Sequence, residues 1–241
     1  SGVGVGGGGE GEGKGCRRAK QNERRRRRHL RLGEDPRTEQ RERGLDDFGF
    51  DRDFTDLLEP LAEWFFRAYW RVEVFGLENV PAEGGALLAA NHAGLIPWDG
   101  AMIRTAISSE HPNPRPVRML VADWAFQLPF LSEFLIKTGN VVAHPQNATT
   151  LLEREELVGV FPEGVKGPAK TYRERYRVRR FGRGGFIQVA MRTGSPIIPV
   201  AVVGPAEVHP VLFDLPPPAD RPGPPPSPVT PTCPPPLPPG P

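Results

Sequence analysis

Six short apolar runs constrain this chain more than any other feature. They are "RVEVFG" (71–76), "ALLAAN" (86–91), "VRMLVA" (117–122), "NVVAH" (140–144), "LVGVF" (157–161) and "PIIPVAVVG" (196–204). Each has strand length, and most are apolar throughout rather than alternating, the pattern of strands covered on both faces. Segments of helical character fall between them, at 98–108, 129–137, 146–155 and 183–193. The alternation predicts an α/β fold: a mixed, largely parallel sheet flanked by helices. Upstream, "DFTDLLEPLAEWFFRAYW" (53–70) predicts an amphipathic helix. Pro60 either kinks that helix or marks its true start. Its apolar face has two readings, packing on the core or lying in a membrane surface. Trp64, Tyr69 and Trp70 beside Arg67 and Arg71 suit the second.

The ends are poor material for a core. Residues 1–15 are mostly glycine, 24–28 is an unbroken arginine run, and half of 210–241 is proline. Neither end carries enough large apolar side chains to offset the entropy of ordering it. Three regions are therefore expected: a disordered Gly/Arg-rich tail at 1–47, a folded domain at 48–210, and a Pro-rich, disordered or truncated tail at 211–241. The formal net charge is only +2, but arginine is concentrated at 17–43 and 173–183. Such clusters suit anionic partners or are simply solvated. Cys16 and Cys233 sit in the tails, which supports no disulfide framework, and no His/Cys cluster has metal-ligand spacing. No secretory leader and no apolar run of membrane-span length is visible, so a cytoplasmic location is expected.

Two polar turns follow strand-like runs. In "ANHAGLIPWD" (90–99), His92 is followed at seven positions by Asp99. A neutral imidazole can take a proton from an alcohol if a carboxylate fixes its tautomer. On a continuous helix seven positions means about 10 Å of rise, too far for a hydrogen bond. Gly94 and Pro97 argue for a loop with a helix starting near Pro97, which can fold Asp99 back onto His92. Alternatively, Asp99 only stabilises the first turn of that helix. His209 and Asp214 form a second His–Asp pair but lead straight into the proline tail. In "VFPEGVKG" (160–167), Gly164 and Gly167 permit close backbone approach and Lys166 can neutralise an anion. Glu163 would bond a hydroxyl or orient basic groups. A plain surface turn is the competing reading. The arginines at 173, 175, 177, 179, 180 and 183 precede a glycine-rich helix start that suits a compact phosphate. If the two strands are parallel, both turns open into one crevice beyond their carboxyl ends.

Taken in series, "NHAGLIPWD", "VFPEGVKG" and "PIIPVAVVGPAEVHP" resemble the motifs of the glycerolipid acyltransferase family, whose best-known members are 1-acylglycerol-3-phosphate acyltransferases. The likeness is to the branch with six residues between the motif histidine and aspartate, and it covers about residues 48–210. The resemblance implies a glycerol-3-phosphate acyltransferase-like fold with His92 as general base and Asp99 as its orienting partner. It implies Glu163 and Gly164 in acceptor binding, and places Pro199 in a block that shapes the pocket. Many such proteins carry an arginine in a second block, here "GNVVAHPQNA" (139–148), where His144 or Pro145 stands instead. Phosphate recognition would then fall to Lys166, Lys170 or arginines such as Arg175 and Arg183, or the acceptor lacks a phosphate.

The expected activity is O-acyl transfer from acyl-CoA or acyl-carrier protein to the free hydroxyl of 1-acylglycerol-3-phosphate, forming phosphatidic acid. Either donor is a co-substrate; no metal or bound cofactor is expected. The remaining partners would be a lysophospholipid acceptor and a membrane surface met through residues 53–70, on the inner face of the cell membrane. Another lysophospholipid or a monoacylglycerol is an alternative acceptor. A non-catalytic anionic-lipid or nucleic-acid binder is the alternative from another class; it has no need of His92, Asp99 and Glu163 together, and no nucleic acid is expected.

Overall fold

A computed structural model describes residues 45–92, 97–164, 184–205, 213–215 and 227–229, together with 167, 170, 172–174, 176–178 and 181. From Phe48 onward they belong to one compact unit. Lys166, Arg175, Arg183, Cys16, Cys233, His209 and most of both expected tails lie outside the described residues.

The chain enters through α1, Arg52–Trp64, capped by Asp51, whose side chain accepts from the Phe54 N–H at 2.9 Å. Pro60 lies inside α1, so it does not mark the start. The helix continues as a wider π-type turn, Phe65–Tyr69. There follow β1 (Ala86–Ala90), α2 (Trp98–Glu110), β2 (Val117–Val121), α3 (Leu131–Lys137), β3 (Val141–Val142), α4 (Pro145–Glu153), β4 (Leu157–Val160), α5 (Gly185–Thr193) and β5 (Ile197–Val200). Strands β1–β5 form one five-stranded sheet in the order β3-β2-β4-β1-β5. Every pairing in it is parallel, with Leu87 of β1 level with Val158 of β4 and Ile197 of β5. A separate antiparallel pair joins β6 (Phe213–Leu215) to β7 (Ser227–Val229).

The continuous apolar strands are explained by helices on both faces. Ala86, Leu88 and Ala90 pack with Val117, Met119 and the α2 residues Ile103 and Ile107. Leu87 and Val158 face the other way, onto Leu151 and Leu152 of α4 and Val189 and Ala190 of α5. Each fully buried leucine contributes about 1.5–3 kcal/mol. A third cluster joins Phe66 to Met102 and Ala106, tying the end of α1 to α2.

The predicted strand at 71–76 is not one. The backbone there is irregular, and Arg71 has a positive φ of 51°. Val72 and Val74 pack on the α1–α2 cluster while their neighbours face solvent. The alternation reflects an extended segment half-buried on helices, with no strand beside it. Among the described residues, no helix is long and apolar enough to cross a membrane.

Candidate active site

Because β1, β4 and β5 are adjacent and parallel, their carboxyl ends emerge side by side. Asn91 and His92 follow β1, Phe161 to Gly164 follow β4, and Val202 follows β5. Asn91 ties two of these ends together: its Nδ2 donates to the Val202 carbonyl at 2.9 Å and its Oδ1 accepts the Val202 N–H at 2.7 Å. His92 is held on three further sides. Its backbone N–H donates to Glu163 Oε1 at 2.9 Å. Its ring stacks on Phe161, with centroids 4.1 Å apart and planes 16° from parallel. Its Nδ1 lies 2.6 Å from Asp99 Oδ2.

Helix α2 begins at Trp98 after Pro97, so Asp99 falls in its first turn. Neither His92 nor Pro97 is helical, so His92 and Asp99 do not share one continuous helix. Asp99 is fully withdrawn from solvent, and its Oδ1 accepts the Gly100 N–H at 2.8 Å. Asp99 thus sits at the positive end of a helix and also contacts His92. A carboxylate at Nδ1 keeps the neutral ring's proton there and turns Nε2 into the acceptor. The arrangement can take a proton from a hydroxyl.

The second turn is built more tightly than its sequence suggested. Gly164 has a φ of +59°, a conformation that favours glycine. The Gly167 N–H donates to the Gly164 carbonyl at 3.0 Å, and that of Lys170 to the Gly167 carbonyl at 3.2 Å. This curl brings Lys170 Nζ to 3.1 and 3.0 Å from the two oxygens of Glu163. Both side chains are buried, at 3% and 0% exposure. Lys170, expected among the phosphate contacts, thus faces inward onto Glu163.

The remaining expected groups are scattered. Arg173 and Arg177 are exposed, and Pro199 lies exposed on β5. His144 caps α4, with Nδ1 accepting the Gln146 N–H at 3.2 Å. Among the described residues no group of three or more His, Cys, Asp and Glu could hold a metal ion. Sequence reasoning missed the roles of Asn91 and Phe161, of which Asn91 carried a signal, a polar residue at the end of a buried strand; the close approach read at Gly167 is present, against His92.

A parallel α/β sheet with a His–carboxylate pair at its carboxyl edge defines the class of enzymes that activate a hydroxyl on a scaffold of this kind. The chain belongs to the Acyltransferase family, whose model matches residues 71–203. It is 46% identical over 172 residues to an uncharacterised protein of Mycobacterium tuberculosis, covering 71% of this chain and 48% of that one. A Bos taurus protein named "DGAT1/2-independent enzyme synthesizing storage lipids" is 31% identical over 134 residues, 55% of this chain and 39% of its own length. The 1-acyl-sn-glycerol-3-phosphate acyltransferase of Bacillus subtilis is 24% identical over 143 residues, 56% of this chain and 64% of its own. The chain spans about half the length of the mycobacterial relatives it matches.

Proposed function

We propose that the protein moves a fatty acyl group from acyl-CoA, or acyl-carrier protein, to the hydroxyl of 1-acylglycerol-3-phosphate, making phosphatidic acid. The observation that carries this reading is the 2.6 Å contact of His92 with buried Asp99 at the carboxyl edge of the sheet. His92 Nε2 takes the proton of the acceptor hydroxyl as its oxygen attacks the thioester carbonyl. The tetrahedral adduct collapses, the C–S bond breaks, and the thiolate receives the proton from His92. The product ester and a free thiol leave. In this reading Lys166, Arg175 and Arg183 contact the acceptor phosphate.

A neutral acylglycerol is the second reading of the acceptor. Lys170 spends its charge on Glu163, and His144 or Pro145 stands where many proteins of the resembled family carry an arginine. The Bos taurus relative, named for synthesising storage lipids, supports the same reading.

The proposal includes a peripheral site of action on the inner face of the cell membrane. Leu57, Leu61, Trp64 and Tyr69 of the entry helix and its π-type turn are all more than half exposed. Apolar side chains of this kind on one helix suit the headgroup boundary of a bilayer.

The assay is release of free CoA from acyl-CoA with lysophosphatidic acid or monoacylglycerol as acceptor. Release with the first alone supports the leading reading, and release with the second alone supports the other. His92→Ala abolishes both; an unchanged rate in that variant removes the base assignment.

A further inference from the structure

Lys170 lies in the curl between β4 and α5, outside the motif blocks, and its ammonium is as buried as the groups of the site itself. A dry lysine–glutamate pair is a poor device for mere stability, because apolar side chains of similar volume hold a fold as well or better. The pair's geometry points elsewhere. Glu163 Oε1 accepts from Lys170 Nζ at 3.1 Å and from the backbone N–H of His92 at 2.9 Å. One oxygen thus couples the ammonium to the main chain of His92.

The loop that carries the lysine also touches His92. A methyl group built on Gly167 would stand 2.8 Å from His92 Cβ and 3.0 Å from its carbonyl oxygen. The curl lies directly against His92, and only glycine leaves room for it. Asn91 fixes the preceding residue through its two bonds to Val202. His92 is thereby left one way to set its ring, between Phe161 and Asp99.

We propose that Lys170 is a positioning residue for His92. Its charge lets the Glu163 carboxylate stay dry and ionised, the carboxylate holds the His92 amide, and the amide sets the reach of the imidazole to Asp99. Removing Lys170 alone takes the ammonium from both Glu163 oxygens, which favours the buried carboxylate turning toward water and releasing the amide. Removing both charges is milder, because glutamine can still accept the His92 N–H. The inference rests on His92 as the base but assigns Glu163 to the histidine rather than to the acceptor.

The test compares Lys170→Met, Glu163→Gln and the double variant with the wild-type chain. The first readout needs no substrate: the far-downfield proton NMR signal of the short Nδ1–H to Asp99 bond, assigned by its loss in His92→Ala. The second is kcat and KM in the CoA-release assay. Lys170→Met is expected to lose or shift the signal and lower kcat by about 10²-fold, the cost of an ångström-scale misplacement, while acceptor KM holds. The double variant is expected to regain the signal and most of kcat. Should Lys170→Met fail to fold, Glu163→Gln alone, which strands the ammonium, is expected to disturb the signal. Retention of signal and kcat in Lys170→Met overturns the proposal, as does a rise confined to acceptor KM. If the wild-type chain transfers no acyl group to any acceptor, the function fails while the NMR comparison still decides the positioning.

Discussion

Asp99→Asn changes the side chain by one atom yet should silence the enzyme, and the hydrogen bonds say why. Oδ1 accepts the Gly100 N–H at 2.8 Å, and Oδ2 lies 2.6 Å from His92 Nδ1. An asparagine satisfies Gly100 only with its oxygen at the first position, which sets its NH2 against Nδ1. Two donors cannot face each other, and the ring can move its proton where a backbone amide cannot. The imidazole therefore carries its proton on Nε2, and nothing is left to accept a proton from the hydroxyl. The opposite flip sets NH2 against the Gly100 N–H and leaves a buried donor unpaired, at about 1–3 kcal/mol. In Ser-His-Asp enzymes the equivalent substitution costs about 10⁴ in kcat, or about 5.5 kcal/mol of transition-state stabilisation. Folding should suffer less, since shape is kept and the carboxylate's favourable place at the helix start contributes about 0.3–1 kcal/mol. Free CoA is followed by thiol titration, beside a thermal melt. A variant keeping more than about a tenth of the wild-type rate, a barrier change under about 1.4 kcal/mol, would refute the tautomer argument.

Gly167→Ala should lower CoA release and stability together: its new methyl meets His92 Cβ at 2.8 Å and Glu163 Cβ at 3.2 Å, an overpacking cost of about 1–3 kcal/mol readable in a thermal melt. Phe130→Gly should instead raise the melting temperature. Phe130 holds φ 64° and ψ −43° under a Leu131 N–H to Pro129 carbonyl bond of 2.7 Å, and it is 89% exposed. Relief of about 1–3 kcal/mol of strain exceeds the glycine entropy cost of about 0.5–1 kcal/mol, and a lower melting temperature would contradict this. Arg104→Met should also stabilise: burial, helped by the charge of Arg118, pushes the Arg104 guanidinium down to about 10, and it makes no hydrogen bond or ion pair among the described residues. A depressed basic group costs stability wherever it is protonated, so the gain, up to about 3 kcal/mol, is present at neutral pH and shrinks as pH rises past about 10.

The layered fold could be read from the residues because burial on both faces leaves few polar positions in a strand, Arg118 of β2 being the exception. "ALLAA" and "LVGV" serve α2 on one side and α4 with α5 on the other. The same logic misled at 71–76, where alternating valines meet helices on one side and water on the other. Periodicity reports which side of a segment is covered, not what covers it. A partner strand, unlike a covering face, leaves no mark on side-chain pattern, because it bonds the backbone.

The candidate site divides along a similar line. His92 and Asp99 could be matched by chemistry, since a base needs an orienting acid, and the gap itself required a loop. Lys170 offered no such handle, because an isolated lysine in a polar glycine-rich stretch reads as surface. Its burial depends on Gly164 adopting a positive φ and on two backbone bonds that link Gly167 to Gly164 and Lys170 to Gly167. That curl in turn needs a counter-charge at its centre, which only Glu163 supplies among the described residues. Glu163 therefore answers to two demands, the histidine amide on one side and the ammonium on the other. A substitution at either end of this chain of contacts should be felt at the imidazole before it is felt by the sheet, whose strands are held by their own bonds and by apolar faces that neither charge touches.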